Sequence, residues 1–304
     1  MDRLAEQVTE IIQSRLVRTF WLHPVTQIVG YLSLFLIMLY GSWLIIDVFA
    51  RMTMGIQLML NEILEAVYCI LLLNFYVVKI QKRKFDSTGI VKRGVVVETV
   101  VGFALGFVVS GGAILGMYLL GAYKPVGINL QANLIFPFIL FFFGAVVEEV
   151  IFRLFIFQIC EKRWGTVPAL VISSLLFGMV HMINNVQHAT FEQKLLGCMF
   201  LVFEAGFLLN ALFLVNRRVW LPLGVHWAWN FFEGPIFGTI VSGQNFGAPL
   251  MVAQVSGSLL VSGGPFGPEG SLPGLFVGVA CGALATWYSI TRGAWNQKNH
   301  AEGS

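Results

Sequence analysis

Eight runs of about twenty predominantly apolar residues lie near 27–50, 54–78, 95–121, 132–157, 166–184, 195–215, 220–240 and 271–291. A run of that length at the helical rise spans the hydrocarbon core of a bilayer. The chain is therefore predicted to be all-α: a polytopic integral membrane protein built as a bundle of about eight transmembrane helices. With 57% hydrophobic and 12% charged residues, the composition lies far from that of water-soluble globular domains. Cys69, Cys160, Cys198 and Cys281 are isolated within apolar segments, which suggests neither a disulfide framework nor a zinc site. No nucleic-acid or phosphate-binding motif is present, so the bilayer is the expected environment and no nucleic-acid partner is expected.

The 304 residues have room for one membrane domain, expected over 21–295, with a motif-bearing core at 132–240 and a cytoplasmic tail at 296–304. Residues 1–20 intersperse Leu4, Val8, Ile11, Ile12 and Leu16 with Arg3, Glu6, Glu10 and Arg15, a spacing that suits an amphipathic helix on the inner face of the membrane or docked on the bundle. They lack a continuous apolar core, so a cleavable signal peptide is not expected. The Gly/Pro-rich stretch 241–270 reads as an external or re-entrant loop rather than a domain linker. With the N-terminus inside, the cytoplasmic segments hold most of the 19 Lys and Arg residues, including Arg15, Arg18, Lys79, Lys82, Arg83, Lys84, Lys162, Arg163, Arg217 and Arg218. Only Arg51, Lys124 and Lys194 fall outside. Both termini are thus predicted cytoplasmic, in the inner membrane.

Against this background, Glu148, Glu149 and Arg153 stand out, because all three lie inside the fourth apolar run. Each charge at that depth costs about 2.5–3.5 kcal/mol on insertion scales, which makes an intramembrane ionisable residue a functional-site hypothesis. Glu149 and Arg153, four positions apart, share a helix face and neutralise one another. A pair stapling two helices would explain them. Glu148 is turned by about 100° and has no partner on its own helix. The fifth run ends Phe177-x-x-x-His181, and the seventh holds His226-x-x-x-Asn230. These groups lie at depths where they can converge on one polar cavity. Glu62, Glu65, Glu98, Glu204 and Glu233 are weaker signals, read chiefly as packing or interface residues.

A glutamate and a histidine around one water can share its proton and turn it on a carbonyl, while a second histidine and an amide donate to the resulting oxyanion. Ser173 and Ser174 lie about two turns from His181 on its own helix, too far for a serine mechanism. In order along the chain, Glu148-Glu149-x-x-x-Arg153, Phe177-x-x-x-His181 and His226-x-x-x-Asn230 resemble the three motifs of the CAAX protease and bacteriocin-processing family of intramembrane glutamic endopeptidases. The resemblance implies catalytic roles for Glu148 and His181 as activators of water, an oxyanion hole of His226 and Asn230, and support from Glu149, Arg153 and Phe177. It also implies no metal or other cofactor, and a membrane peptide or lipidated protein as substrate. Two other readings use the same residues. One is a metal-dependent hydrolase with Glu148, His181 and His226 as ligands; the other is a transporter, channel or scaffold that uses them as a proton relay.

Overall fold

A computed structural model describes residues 22–49, 54–184, 186 and 189–295. The expected amphipathic segment at 1–20 and the tail at 296–304 lie outside the described residues. The chain divides into two compact units, one ending at Ser87 and one beginning at Thr88. In the first, α1 (Pro24–Phe49) packs against α2 (Met54–Asn74), and a π-helical stretch, Phe75–Ile80, prolongs α2. The Tyr31 hydroxyl donates to the Cys69 carbonyl at 2.9 Å across this hairpin, supplying a buried acceptor where no water is available.

The second unit opens with α3 (Val95–Leu119) and continues through strand β1 (Tyr123–Ile128) to α4 (Ile135–Glu149). A π-helical stretch, Val150–Phe157, carries α4 without a break into α5 (Gln158–Trp164). Then come α6 (Thr166–Val180), α7 (Phe191–Leu201), α8 (Phe207–Asn216) and α9 (Trp220–Phe231), with α7 and α8 joined by the π-helical stretch Val202–Gly206. Strand β2 (Met251–Val255), the single turn α10 (Leu259–Ser262) and α11 (Leu272–Thr291) complete it. The protein is mostly helical, as the apolar runs required, because in lipid the backbone must satisfy its own hydrogen bonds.

Among the described residues, seven helices are long and apolar enough to cross a membrane: Pro24–Ile46, Gly55–Ile80, Val95–Leu119, Ile135–Trp164, Thr166–Ile183, Phe191–Asn216 and Leu272–Thr291. The remaining expected run, 220–240, seventh along the chain, is shorter. It forms α9 and the π-helical turn Phe232–Ile236, which contains Pro235; at Gly238 the backbone turns into the left-handed region. The stretch 241–270 is likewise more than a loop. Its strand β2 pairs antiparallel with β1, from Tyr123 opposite Val255 to Ile128 opposite Met251. Beyond β2 the chain turns inward and buries Phe266, Pro268, Glu269 and Gly270.

The most extensive helix packing in this unit brings α9 onto α3, and small residues permit it. A Cβ on Gly106 would lie 2.5 Å from the Val225 carbonyl oxygen, and one on Gly102 or Gly224 would run into the facing backbone at Leu221 or Thr99. Since α9 bears His226 and Asn230, this approach sets their height. Gly102→Ala and Gly224→Ala should each lower thermal stability in detergent by about 1–3 kcal/mol, as over-packing does elsewhere. Val100→Ala, at a position 62% exposed on α3, should leave the melting curve within error.

Candidate active site

The last turn of α4 presents two carboxylates in different directions. Glu149 is fully buried, and its Oε1 lies 3.1 Å from Arg153 Nη1 one turn further along. The same oxygen lies 2.8 Å from Nδ1 of His226 on α9. Arg153, also without exposure, donates from Nη2 to the Ala205 carbonyl at 3.4 Å, and its guanidinium carbon lies 4.4 Å from the centre of the Phe177 ring. The pair expected from the four-residue spacing is therefore a triad that reaches a second helix.

Glu148 faces elsewhere. Its side chain is 31% exposed, and its Oε2 stands 3.7 Å from His226 Nε2, so His226 lies between the two glutamates. That distance is an ion-pair approach, too long for a hydrogen bond. His181 begins the 3₁₀ turn that ends α6, and its Nδ1 lies 2.8 Å from the Phe177 carbonyl oxygen. A carbonyl can only accept, so Nδ1 carries the hydrogen and Nε2 is left with a lone pair when the ring is neutral. The Phe177 ring packs against both imidazoles, with centroids 5.3 Å from His181 and 5.8 Å from His226.

Glu148, Phe177, His181, His226 and Asn230 all line one small cavity, together with Ala205, Trp229, Ser242 and Glu269. Glu149 and Arg153 stand behind it. Three helices converge here as their motif spacing allowed. Ser242 and Glu269 sit in the Gly/Pro-rich stretch 241–270, where no periodic signal in the sequence singles them out. Ser242 adopts a left-handed backbone conformation with φ of 47°, and its carbonyl accepts from the Asn184 amide at 2.9 Å just past His181. Its N–H and hydroxyl both donate to Glu269 Oε2 at 2.6 Å. Glu269 lies outside the spanning helices; burial pushes its carboxyl up from the ordinary range, and the Ser242 hydroxyl and His181 pull in the opposite direction.

The weaker candidates go elsewhere. Glu98 pairs with Arg218, while Glu204 and Glu233 are fully buried outside the cavity lining. The Ser173 hydroxyl donates to the Phe152 carbonyl at 2.9 Å, and Ser174 accepts from Asn210, so both are absorbed in helix packing. Among the described residues, no three His, Cys, Asp or Glu side chains are grouped so as to hold a metal ion.

Residues 130–232, about a third of the chain, match the family model described as type II CAAX prenyl endopeptidase Rce1-like. The match covers all three motifs and supports assignment to the CAAX-protease family. No curated protein and no solved structure matches the chain.

Because Glu149 and Arg153 are buried together, removing one strands the other. Glu149→Gln and Arg153→Leu should each destabilise the protein by about 3–5 kcal/mol, whereas the double variant, leaving no lone charge, should recover part of that loss. Glu148→Gln should melt at or above the wild-type temperature. Thermal unfolding of the four variants in one detergent tests this; simple additivity in the double variant would show the pair to be uncoupled.

Proposed function

Taking residues 130–232 as the core of a CAAX-protease-like membrane endopeptidase, we propose that the protein hydrolyses a peptide bond of a membrane-associated or lipidated peptide with water activated by Glu148 and His181. The observation that carries this reading is the cavity itself, where both groups meet His226 and Asn230 from three separate helices. His181 offers Nε2 as the free base, because Nδ1 is held by the Phe177 carbonyl. Glu148, open to the cavity and with its Oε2 free of hydrogen bonds among the described residues, is the second acceptor for the water's proton. Attack on the carbonyl carbon places negative charge on its oxygen, towards which Asn230 and His226 donate.

The bond to Glu149 adds a condition to His226's role. With Nδ1–H directed at Glu149, a neutral ring has only a lone pair at Nε2 and cannot donate to an oxyanion. His226 serves as a donor only while it carries both protons, and Glu149 is the carboxylate that balances that charge. Glu149 is then a positioning residue as well as the counter-ion of Arg153. No side-chain nucleophile and no metal is needed. The zinc reading is set apart by turnover that survives exhaustive chelation, and the transporter reading by any cleavage at all.

In purified protein returned to lipid, Glu148→Gln and His181→Ala should each lose nearly all cleavage of a prenylated CAAX-type peptide or of an unprenylated membrane peptide, followed by mass spectrometry. Asn230→Ala should lose about 10²–10³-fold, the usual loss for one oxyanion donor. Wild-type turnover by Glu148→Gln would sink the assignment.

The Lys/Arg bias further supports a topology with both termini in the cytoplasm, in which substrate would come from the cytoplasmic leaflet of the inner membrane or sideways from lipid. On a background lacking the four cysteines, a Cys replacing Lys82 should react with an impermeant thiol reagent only in inside-out vesicles, and one replacing Gln244 only in right-side-out vesicles. Labelling of the Lys82 position in intact cells would reverse the topology.

A further inference from the structure

The cavity holds a second carboxyl that belongs to none of the three motifs and lies beyond the matched region. Glu269 is 3% exposed, lines the same space as Glu148, His181, His226 and Asn230, and reaches it from the chain between β2 and α11. Its two oxygens are unequal. Oε2 accepts both the backbone N–H and the hydroxyl of Ser242 at 2.6 Å, while Oε1 has no hydrogen-bonded partner among the described residues. A carboxyl held this way keeps a carbonyl-like oxygen on the donors and carries any proton on the other.

Its surroundings differ from those of Glu148. Glu148 is about a third exposed and faces His226 Nε2. Glu269 is buried, and Glu233 and Glu204 are without exposure. Burial is the largest influence on the Glu269 carboxyl and favours the neutral form, against the opposing pull of the Ser242 donors and the two histidines. Two carboxyls in one site whose environments differ in this way have the arrangement of a base and an acid.

Peptide hydrolysis needs both. A base must take a proton from water, and the departing nitrogen must receive one, since an amide anion is too poor a leaving group to depart unprotonated. We propose that Glu269 is a further catalytic residue, the acid that delivers a proton from Oε1 to the leaving nitrogen. This rests on the peptidase reading above. Water gives one proton to the Glu148–His181 pair as its oxygen bonds to the carbonyl carbon. On collapse the C–N bond breaks, its electron pair stays with nitrogen, and nitrogen takes the Glu269 proton. The proton held by Glu148 and His181 then returns to Glu269 across the shared cavity. One water is consumed, with one acid and one amine formed.

Glu269→Gln tests the role, because the amide oxygen still accepts both Ser242 bonds while the transferable proton is gone. On a prenylated peptide with an ordinary amide bond, this variant should lose about 10²–10⁴ in kcat, the usual contribution of a positioned acid, with its melting temperature kept. On an analogue with an aryl ester at the scissile position, whose phenolate leaves without protonation, the loss should shrink to under about tenfold, as a donor matters only where the leaving group needs it. A merely structural Glu269 would depress both substrates alike, and equal losses would overturn the proposal. Independently of turnover, infrared difference spectra between wild type and Glu269→Gln at neutral pH should show the loss of one protonated carboxyl band; an unchanged band would also overturn it. If wild type cleaves neither probe, the peptidase reading falls and the leaving-group role falls with it. Cleavage by wild type with equal amide and ester losses rejects Glu269 alone.

Discussion

The Glu149 carboxylate holds the centre of the second unit together. It lies where no solvent reaches and serves two cationic or hydrogen-bearing partners, Arg153 on its own helix and His226 on α9. In a medium of low dielectric, neither Glu149 nor Arg153 is tolerated alone, so their pairing fixes the rotation of α4 about its axis. Glu148, one residue earlier and about 100° round, is thereby aimed into the cavity. The chemistry proposed for Glu148 thus depends on a neighbour that never enters the cavity. The same contact orients the His226 ring, and the Arg153 guanidinium lies against Phe177, whose carbonyl in turn holds His181. One buried anion so coordinates three helices.

Elements of other kinds complete the cavity. His181 stands at the end of α6, where the helix tightens into a 3₁₀ turn and its side chain bonds back to the preceding turn. Just beyond it, Asn184 anchors Ser242 and Ser242 anchors Glu269, so the chain between α9 and α11 is drawn inward at the point where the histidines lie. Three π-helical stretches adjoin these residues, at Val150–Phe157, Val202–Gly206 and Phe232–Ile236. Such stretches rotate the facing of the helical residues beyond them, and they are found often at functional sites.

How much of this was legible in the chain depended on the range of each signal. Apolar runs report helix placement directly, because the bilayer sets their length, and the spans appear close to where the pattern puts them. The run at 220–240 came out short because Pro235 and Gly238 interrupt a stretch whose hydropathy alone looks continuous. The four-residue spacings put Glu149 with Arg153, Phe177 with His181, and His226 with Asn230. The first two are seen as contacts, the last as two residues lining one cavity. The bond from Glu149 to His226 was out of reach, since it joins residues 77 positions apart. Glu269 was hidden for the same reason, in a segment whose glycines and prolines signal turns and say nothing of where the turns lead.

By itself, the sequence determined that the chain spans a membrane as helices, that charges are buried at one depth in it, and which polar groups share a helix face. Those properties are local, set by bilayer thickness and by 3.6 residues per turn. Only the tertiary structure decided which faces meet: that α9 comes close enough to α3, through facing glycines, to set the height of His226, that Glu149 takes His226 as its second partner, and that a strand-bearing connection supplies Ser242 and Glu269 to the same cavity. Such pairings depend on distances between segments far apart in the chain, and these are set by close packing and by the need of every buried polar group for a partner.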